Sequence, residues 1–192
     1  MNYKSLIEKE IEGIRNIPTD RIDEVVNHIH WNLTTGRIIT TGMGKAGQIA
    51  NTFSTTLSST GTPAIFLHPS EAQHGDLGVV QNGDIIIVFS NSGETREVIE
   101  LIELVHGLNY HNLVFAIVGK SNSHIETRCA DYIEFGPVEE ICPLGLTPTT
   151  STTCMSVISD LIVVGLMKRN GFTKEKYSKL HHGGYLGKKS KN

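Results

Sequence analysis

Two runs, Asp84–Phe89 (DIIIVF) and Asn112–Val118 (NLVFAIV), are apolar with no alternation and are bounded by turn-forming residues. A strand with one wet face alternates apolar and polar side chains. A continuous run is what a strand covered on both faces requires, and that is the signature of a parallel sheet. Arg37–Thr41 (RIITT), Pro63–Leu67 (PAIFL) and Tyr132–Phe135 read as three further strands. Gln48–Ser59, Thr95–His106, a short piece near His124–Cys129 and Thr150–Lys168 read as helices between and after them. Strand and helix in alternation build βαβ units. The expected fold is therefore α/β: a three-layer sandwich around a mainly parallel five-stranded sheet with helices on both faces.

The 192 residues suit one such domain, spanning 1–192. Ahead of the first strand, residues 1–34 read as two helices. Leu6, Ile7, Ile11, Ile14 and Ile17 repeat at helical spacing. Pro18-Thr19-Asp20 breaks that helix, and Asp20 is expected to cap the next, whose apolar side is Ile22, Val25, Val26 and Ile29. These helices cover a sheet face or make an oligomer contact. After Gly171-Phe172 comes a polar stretch containing HHGGYLG at 181–187. The basic tail, 188–192, is expected to be a frayed, solvated end.

A net charge of −3 and a pI near 6.3 argue against a nucleic-acid partner. The longest apolar runs, such as Ile85–Phe89 and Leu161–Met167, are too short to cross a bilayer, so no membrane partner is expected. The first residues, MNYKSLIEKEIEGIRN, carry charges throughout and do not read as a signal peptide. Cys129, Cys142 and Cys154 form no CxxC pair. They read as buried small apolar residues in a reducing compartment, and the expected location is cytoplasmic.

In a parallel α/β sheet ligands bind beyond the carboxyl ends of the strands. This singles out the loops 42–47, 68–78, 90–95 and 136–150. Gly42-Met43-Gly44-Lys45-Ala46-Gly47 fits GxGxxG between strand and helix, as a dinucleotide site demands. But the acidic residue for the ribose is missing after the second strand, where Leu67-His68-Pro69 stands. The plainer reading is a tight strand-to-helix turn needing Gly42 and Gly44, with backbone N–H groups open to a small anion.

Ser90-Asn91-Ser92-Gly93-Glu94-Thr95 brings three hydroxyls to a helix start, where unpaired N–H groups and the helix dipole favour an anion. One hydroxyl suffices for a cap. Thr147-Pro148-Thr149-Thr150-Ser151-Thr152-Thr153 repeats the excess at the start of the last long helix. Two such starts point to a phosphorylated ligand, with Ser90, Ser92 and Thr95 as its first holders and Thr150, Ser151 and Thr152 as the second set. Lys45 supplies a positive charge nearby.

SNSGET at 90–95 resembles the signature of the sugar isomerase (SIS) domain. With GMGKAG at 42–47, HPSEAQHGDLG at 68–78, EEICPLGLTPTTSTT at 139–153 and HHGGYLG at 181–187, the chain resembles the D-arabinose 5-phosphate isomerases over roughly residues 35–190. The resemblance implies an SIS, flavodoxin-like fold. It implies an aldose–ketose isomerase acting through an enediol on a small sugar phosphate, serving the route to Kdo of lipopolysaccharide or capsule. It further implies no cofactor, no required metal, and a homotetramer with active sites near subunit contacts. Many members continue into paired CBS modules; this chain reads as the shorter form without them. The family's terminal motif is SHPGG, where this chain has Leu180-His181-His182-Gly183-Gly184, so that His182 stands for proline.

Residue by residue, the resemblance gives Lys45 the task of stabilising charge on the enediolate. It makes Glu94 and Glu140 alternative general bases, and gives His74 and His181 ring opening or proton shuttling. Outside that resemblance, His28, His30, His106, His111 and His124 carry no assigned role. Other readings are a different SIS isomerase, acting on a hexulose phosphate or an amino sugar phosphate, or a non-catalytic sugar-phosphate sensor.

Overall fold

A computed structural model describes residues 2–190. The chain runs α1 (Tyr3–Arg15), α2 (Thr19–Asn32), β1 (Ile38–Gly42), α3 (Gly44–Ser59), β2 (Ala64–Phe66), α4 (Pro69–Ala72), β3 (Ile85–Ser90), α5 (Arg96–Gly107), β4 (Leu113–Val118), β5 (Asp131–Glu134), α6 (Thr150–Arg169), α7 (Lys174–Leu180) and α8 (Gly184–Lys189). Short 3-10 turns at Asp76–Val79 and Glu126–Arg128 complete it.

The five strands form one sheet in the order β2-β1-β3-β4-β5, every pairing parallel. Successive side chains of a strand face opposite layers, and here both layers are apolar. Ile38, Ile85, Ile87, Phe89, Phe115 and Ile117 face a core built with α2, α3 and α6. Ile39, Ile86, Val88, Val114, Ala116 and Val118 face a second core built with α5. That is why β3 and β4 read as unbroken apolar runs. Gly165 of α6 lets α2 come close: a Cβ there would lie 2.9 Å from Val26 Cγ1.

Several local expectations need correction. Pro18, not Asp20, occupies the start of α2, and no side chain caps it; Asp20 sits in the first turn, where a carboxylate favours the dipole. Helix α3 begins at Gly44 rather than Gln48, so most of the GxGxxG segment is helix. Segment 68–78 contains α4 and a 3-10 turn. The stretch after Phe172 folds into α7 and α8, and Lys188 and Lys189 belong to α8 rather than to a frayed end. The remainder of the basic tail, 191–192, lies outside the described residues. Helix α6 is long and apolar enough by composition to cross a bilayer, which the short-run estimate missed; half of its apolar window is buried inside the domain.

The strand order reverses direction between β1 and β3, leaving a crevice at the carboxyl ends of those two strands. Gly42 and Phe89 are partners in register, so the loops after β1 and β3 leave the sheet side by side.

Candidate functional site

A cleft of about 370 Å³ occupies that crevice. Three loops line it. The turn after β1 gives Met43, Gly44, Lys45 and Ala46; the loop after β3 gives Ser90, Asn91, Ser92 and Thr95; the start of α6 gives Pro148, Ser151, Thr152 and Met155. The glycines of the first turn have separate reasons. A Cβ on Gly47 would lie 2.4 Å from the Gly42 carbonyl oxygen, so strand and helix meet only through hydrogen-sized side chains. Gly44 has φ +55° with open space where a Cβ would stand.

In the loop after β3, Ser90 is buried and works as the hub. Its Oγ accepts the Gly93 N–H at 3.0 Å and shares a hydrogen bond of 2.8 Å with Thr95 Oγ1. Ser92 Oγ accepts the Glu94 N–H at 3.1 Å. Thr95 stands at the N-cap position of α5, yet among the described residues no side chain caps that helix. The hydroxyls hold the loop's own shape and leave the helix start uncapped.

Of the second hydroxyl set, Ser151 and Thr152 reach the cleft and Thr150 does not. Thr150 is buried and donates to Glu10 Oε1 of α1 at 3.3 Å, which ties α6 to α1. Thr152 Oγ1 donates to the Thr149 carbonyl at 2.8 Å. Ser151 Oγ is buried, with no partner in hydrogen-bond geometry among the described residues.

Glu140 lies behind this cluster. Its Oε2 accepts from Thr149 N at 2.6 Å, Thr149 Oγ1 at 2.9 Å and Ser151 N at 3.3 Å. Burial pushes the carboxyl up, but the donors of Ser151 and Thr149 outweigh it and hold it below the usual glutamate range. Glu140 is thus the cap of α6. Glu94 is exposed and clamped by one residue: the His124 N–H donates to Oε1 at 3.1 Å, and the His124 ring Nδ1 bonds Oε2. The ring contact first, then the N–H, lowers this carboxyl's pKa. Nothing in the sequence pointed to His124; its place in the loop after β4 pairs it with Glu94 across 30 residues.

Neither candidate histidine lies in the cleft of this chain. His74 is exposed after α4, its N–H donating to Glu71 O at 2.9 Å. His181 ends α7, stacks on Tyr177 at 3.7 Å and 4°, and places Nδ1 3.0 Å from the Tyr177 carbonyl. Gly42 lines an adjoining cavity of about 260 Å³ with His68, not the cleft itself. A larger hollow of about 610 Å³ between α2 and α6 is walled by Ile22, Val26, Leu161 and Val164, far from the carboxyl ends of the strands. The cleft residues not anticipated individually are Met43, Ala46, Phe89, Asn91, Pro148 and Met155.

The cysteines separate into two kinds. Burial pushes Cys129 up to about 12 and Cys154 to about 11, as expected of apolar packing. Cys142 departs from that expectation. Its sulfur accepts the N–H groups of Leu146 at 3.2 Å and Thr147 at 3.1 Å. The Thr147 N–H, with its neighbours, brings the thiol down to about 7.

Comparison with known proteins fits this geometry. The SIS domain model matches residues 34–164. Arabinose 5-phosphate isomerase KdsD of Shigella flexneri is 43% identical over 189 residues, covering 94% of this chain and 56% of the relative. The same-named protein of Escherichia coli K12 is 42% identical over 189 residues. The chain therefore spans about half the length of the curated relatives it matches. Among solved structures, a Bacteroides fragilis protein provisionally described as a phosphosugar isomerase involved in capsule formation is 48% identical. It superposes with a TM-score of 0.91 over 95% of this chain and 97% of its own. An Escherichia coli CFT073 protein in complex with arabinose 5-phosphate is 29% identical, with a TM-score of 0.84 over 94% of this chain and 100% of its own. By the matched segment, the sheet order and these relatives, the chain belongs to the SIS domain family.

Proposed function

We propose that this chain is an aldose–ketose isomerase that interconverts D-ribulose 5-phosphate and D-arabinose 5-phosphate. The observation that carries the reading is the composition of the crevice cleft. A lysine and the hydroxyl-rich start of an uncapped helix face each other across the point where the sheet reverses. An anion suits that helix start, and a cation suits the sugar end. The named activities of the relatives, and the arabinose 5-phosphate bound to a structural neighbour, support the substrate.

In the proposed reaction the phosphate is held by Ser90, Ser92 and Thr95 at the start of α5. A carboxylate takes the proton from C2 of the aldose, and the electron pair of that C–H bond forms the C1–C2 double bond of the enediolate. The proton then returns at C1 while the O2 hydroxyl proton passes to O1, so that O1 ends as a hydroxyl and O2 as the ketone. No electrons leave the substrate, so the reading needs no redox cofactor, and it gives the charge-stabilising part to a lysine rather than to a metal. Lys45 offsets the charge that develops on the enediolate oxygens. We assign the proton transfer to Glu94, whose neighbours Ser92 and Thr95 line the cleft. Glu140 is committed to three donors at the start of α6. A homotetramer in which a neighbouring copy lends His74 or His181 would complete the site for ring opening. Supply of Kdo for lipopolysaccharide or capsule, in the cytoplasm, is the accompanying biological reading.

The test is to incubate the purified chain with arabinose 5-phosphate, without added cofactor, and follow ribulose 5-phosphate. Turnover by the parent that falls at least a hundredfold in Glu94→Gln, and far less in Glu140→Gln, is the expected result. Binding without turnover in the parent would instead favour a sensor. Turnover of a hexulose phosphate alone would favour another isomerase of the family.

A further inference from the structure

The loop after β4 docks on the loop after β3 through main-chain bonds. The Gly119 N–H donates to Asn91 O at 3.1 Å, and the Ile125 N–H donates to Gly93 O at 3.1 Å. Between them Ser123 is 1% exposed, its hydroxyl has no partner among the described residues, and a Cβ on Gly93 would fall 2.2 Å from it. The two loops meet as one rigid seam. At the end of that seam both oxygens of Glu94 are taken by one residue, Oε1 by the His124 N–H and Oε2 by the His124 ring.

From this geometry we infer that His124 is a positioning residue: its main chain and ring together fix the carboxylate of Glu94, which lies in sequence between Ser92 and Thr95, two residues that line the crevice cleft. The inference rests on the proposed role of Glu94. A free glutamate at a helix start has three rotatable bonds and would sample many positions. A carboxylate held at both oxygens loses that freedom beforehand, so orientation need not be achieved at each turnover. The ring is 68% exposed, so the contact is of the surface kind and its effect is modest. Lys120 lies close enough to favour the carboxylate. Arg128 donates to the His124 carbonyl at 2.8 Å, and Glu126 accepts from the Asn122 N–H at 2.8 Å. Arg96 of α5 is engaged by Glu100 at 2.6 Å.

Three variants and two readouts test this. His124→Ala removes the ring and keeps the main-chain N–H; His124→Asn keeps a side-chain donor near the Nδ1 position. With arabinose 5-phosphate, His124→Ala is expected to lose about three- to tenfold in kcat with KM within about twofold. The acidic limb of its rate profile should move to higher pH, and His124→Asn should recover part of both. Carboxyl NMR of Glu94, assigned with Glu94→Gln, needs no substrate: its titration midpoint should rise in His124→Ala and return toward the parent value in His124→Asn. An unchanged Glu94 titration in His124→Ala overturns the inference, whatever the activity. So does an unchanged kcat and acidic limb in an active enzyme. A parent that does not isomerise the sugar, with the Glu94 titration still shifted by His124→Ala, refutes the proposed reaction while the clamp stands.

Discussion

The starts of α5 and α6 look alike in sequence, each a hydroxyl-rich segment opening a helix beside the same cleft, yet they solve the helix-terminus problem differently. At α6 the chain brings its own anion. Glu140 accepts from the N–H of Thr149, the N-cap residue, and of Ser151 in the first turn, so a carboxylate of the chain already sits at that helix start. At α5 no side chain caps the helix, and the hydroxyls of Ser90 and Thr95 bond each other instead. A helix start that carries its own carboxylate repels a second anion; one left open invites it. Hydroxyl content alone therefore does not mark a phosphate site. What marks it is whether an internal acid already sits there.

The sharpest way to break this comparison is to distort the open loop. Gly93 has φ +66°, and a Cβ there would meet both Oγ and Cβ of Ser123, at 2.2 and 2.3 Å. Rotating the serine cannot clear its own Cβ, so the backbone must move. Gly93→Ala is expected to cost roughly 3 kcal/mol or more, read as a large fall in melting temperature and loss of phosphate binding. A melting temperature within a few degrees of the parent would show that the seam between the two loops is soft.

The next effect separates the two helix starts directly. Ser90→Ala removes the hub of the loop after β3, and Thr150→Ala removes a hydroxyl that points to Glu10. Ser90→Ala is expected to weaken sugar-phosphate or inorganic phosphate binding about tenfold, the size of one lost hydrogen bond to a charged group. Thr150→Ala should change it less than about twofold and cost only stability. Titration calorimetry on the two variants decides; equal losses would erase the distinction.

Much of this was legible beforehand, and the failures have physical causes. The strands, their parallel pairing and the crevice followed from β3 and β4, because burial on both faces leaves no other pattern for Ile85–Phe89. Ser90, Ser92, Thr95 and Lys45 lay in local motifs, and the cleft gathers all four. Thr150, expected in the second phosphate-holding set, does not line the cleft, because direction around a helix depends on packing: its neighbour Ser151 reaches the cleft while Thr150 is turned to α1. The Glu94–His124 pair joins residues 30 apart in sequence, and such a contact exists only once the two loops are docked. His74 and His181 belong to segments whose motifs were recognisable, but no local rule says which cavity a loop histidine will face.

A smaller effect concerns Glu140 and pH. Its carboxyl is held below the ordinary range in the folded chain, so it contributes stability that is full above the unfolded value and lost as pH falls through the folded one. Glu140→Gln is expected to cost about 1 kcal/mol at neutral pH, the usual worth of a helix cap. It should also flatten the decline of melting temperature below about pH 4.5, near the carboxylate reference value. An equally steep acid decline in Glu140→Gln would mean that other carboxylates govern it.

The weakest perturbation probes the same device in the loop leading to α6. Cys142 accepts two main-chain N–H groups, from Leu146 and Thr147, much as Glu140 accepts those of Thr149 and Ser151. A thiol brought to about 7 is substantially thiolate at neutral pH, while Cys129 and Cys154, at about 12 and 11, remain thiols. Iodoacetamide at pH 7 should therefore label Cys142 first, with a rate that rises through pH 7 and levels above it. Peptide mapping against time reads this directly. If Cys129 reacted as fast, the N–H groups of the loop would not be holding an anion at all, and the segment before α6 would lose its claim to satisfy its donors from within. Labelling confined to Cys142 would extend the contrast with α5 from one internal anion to two.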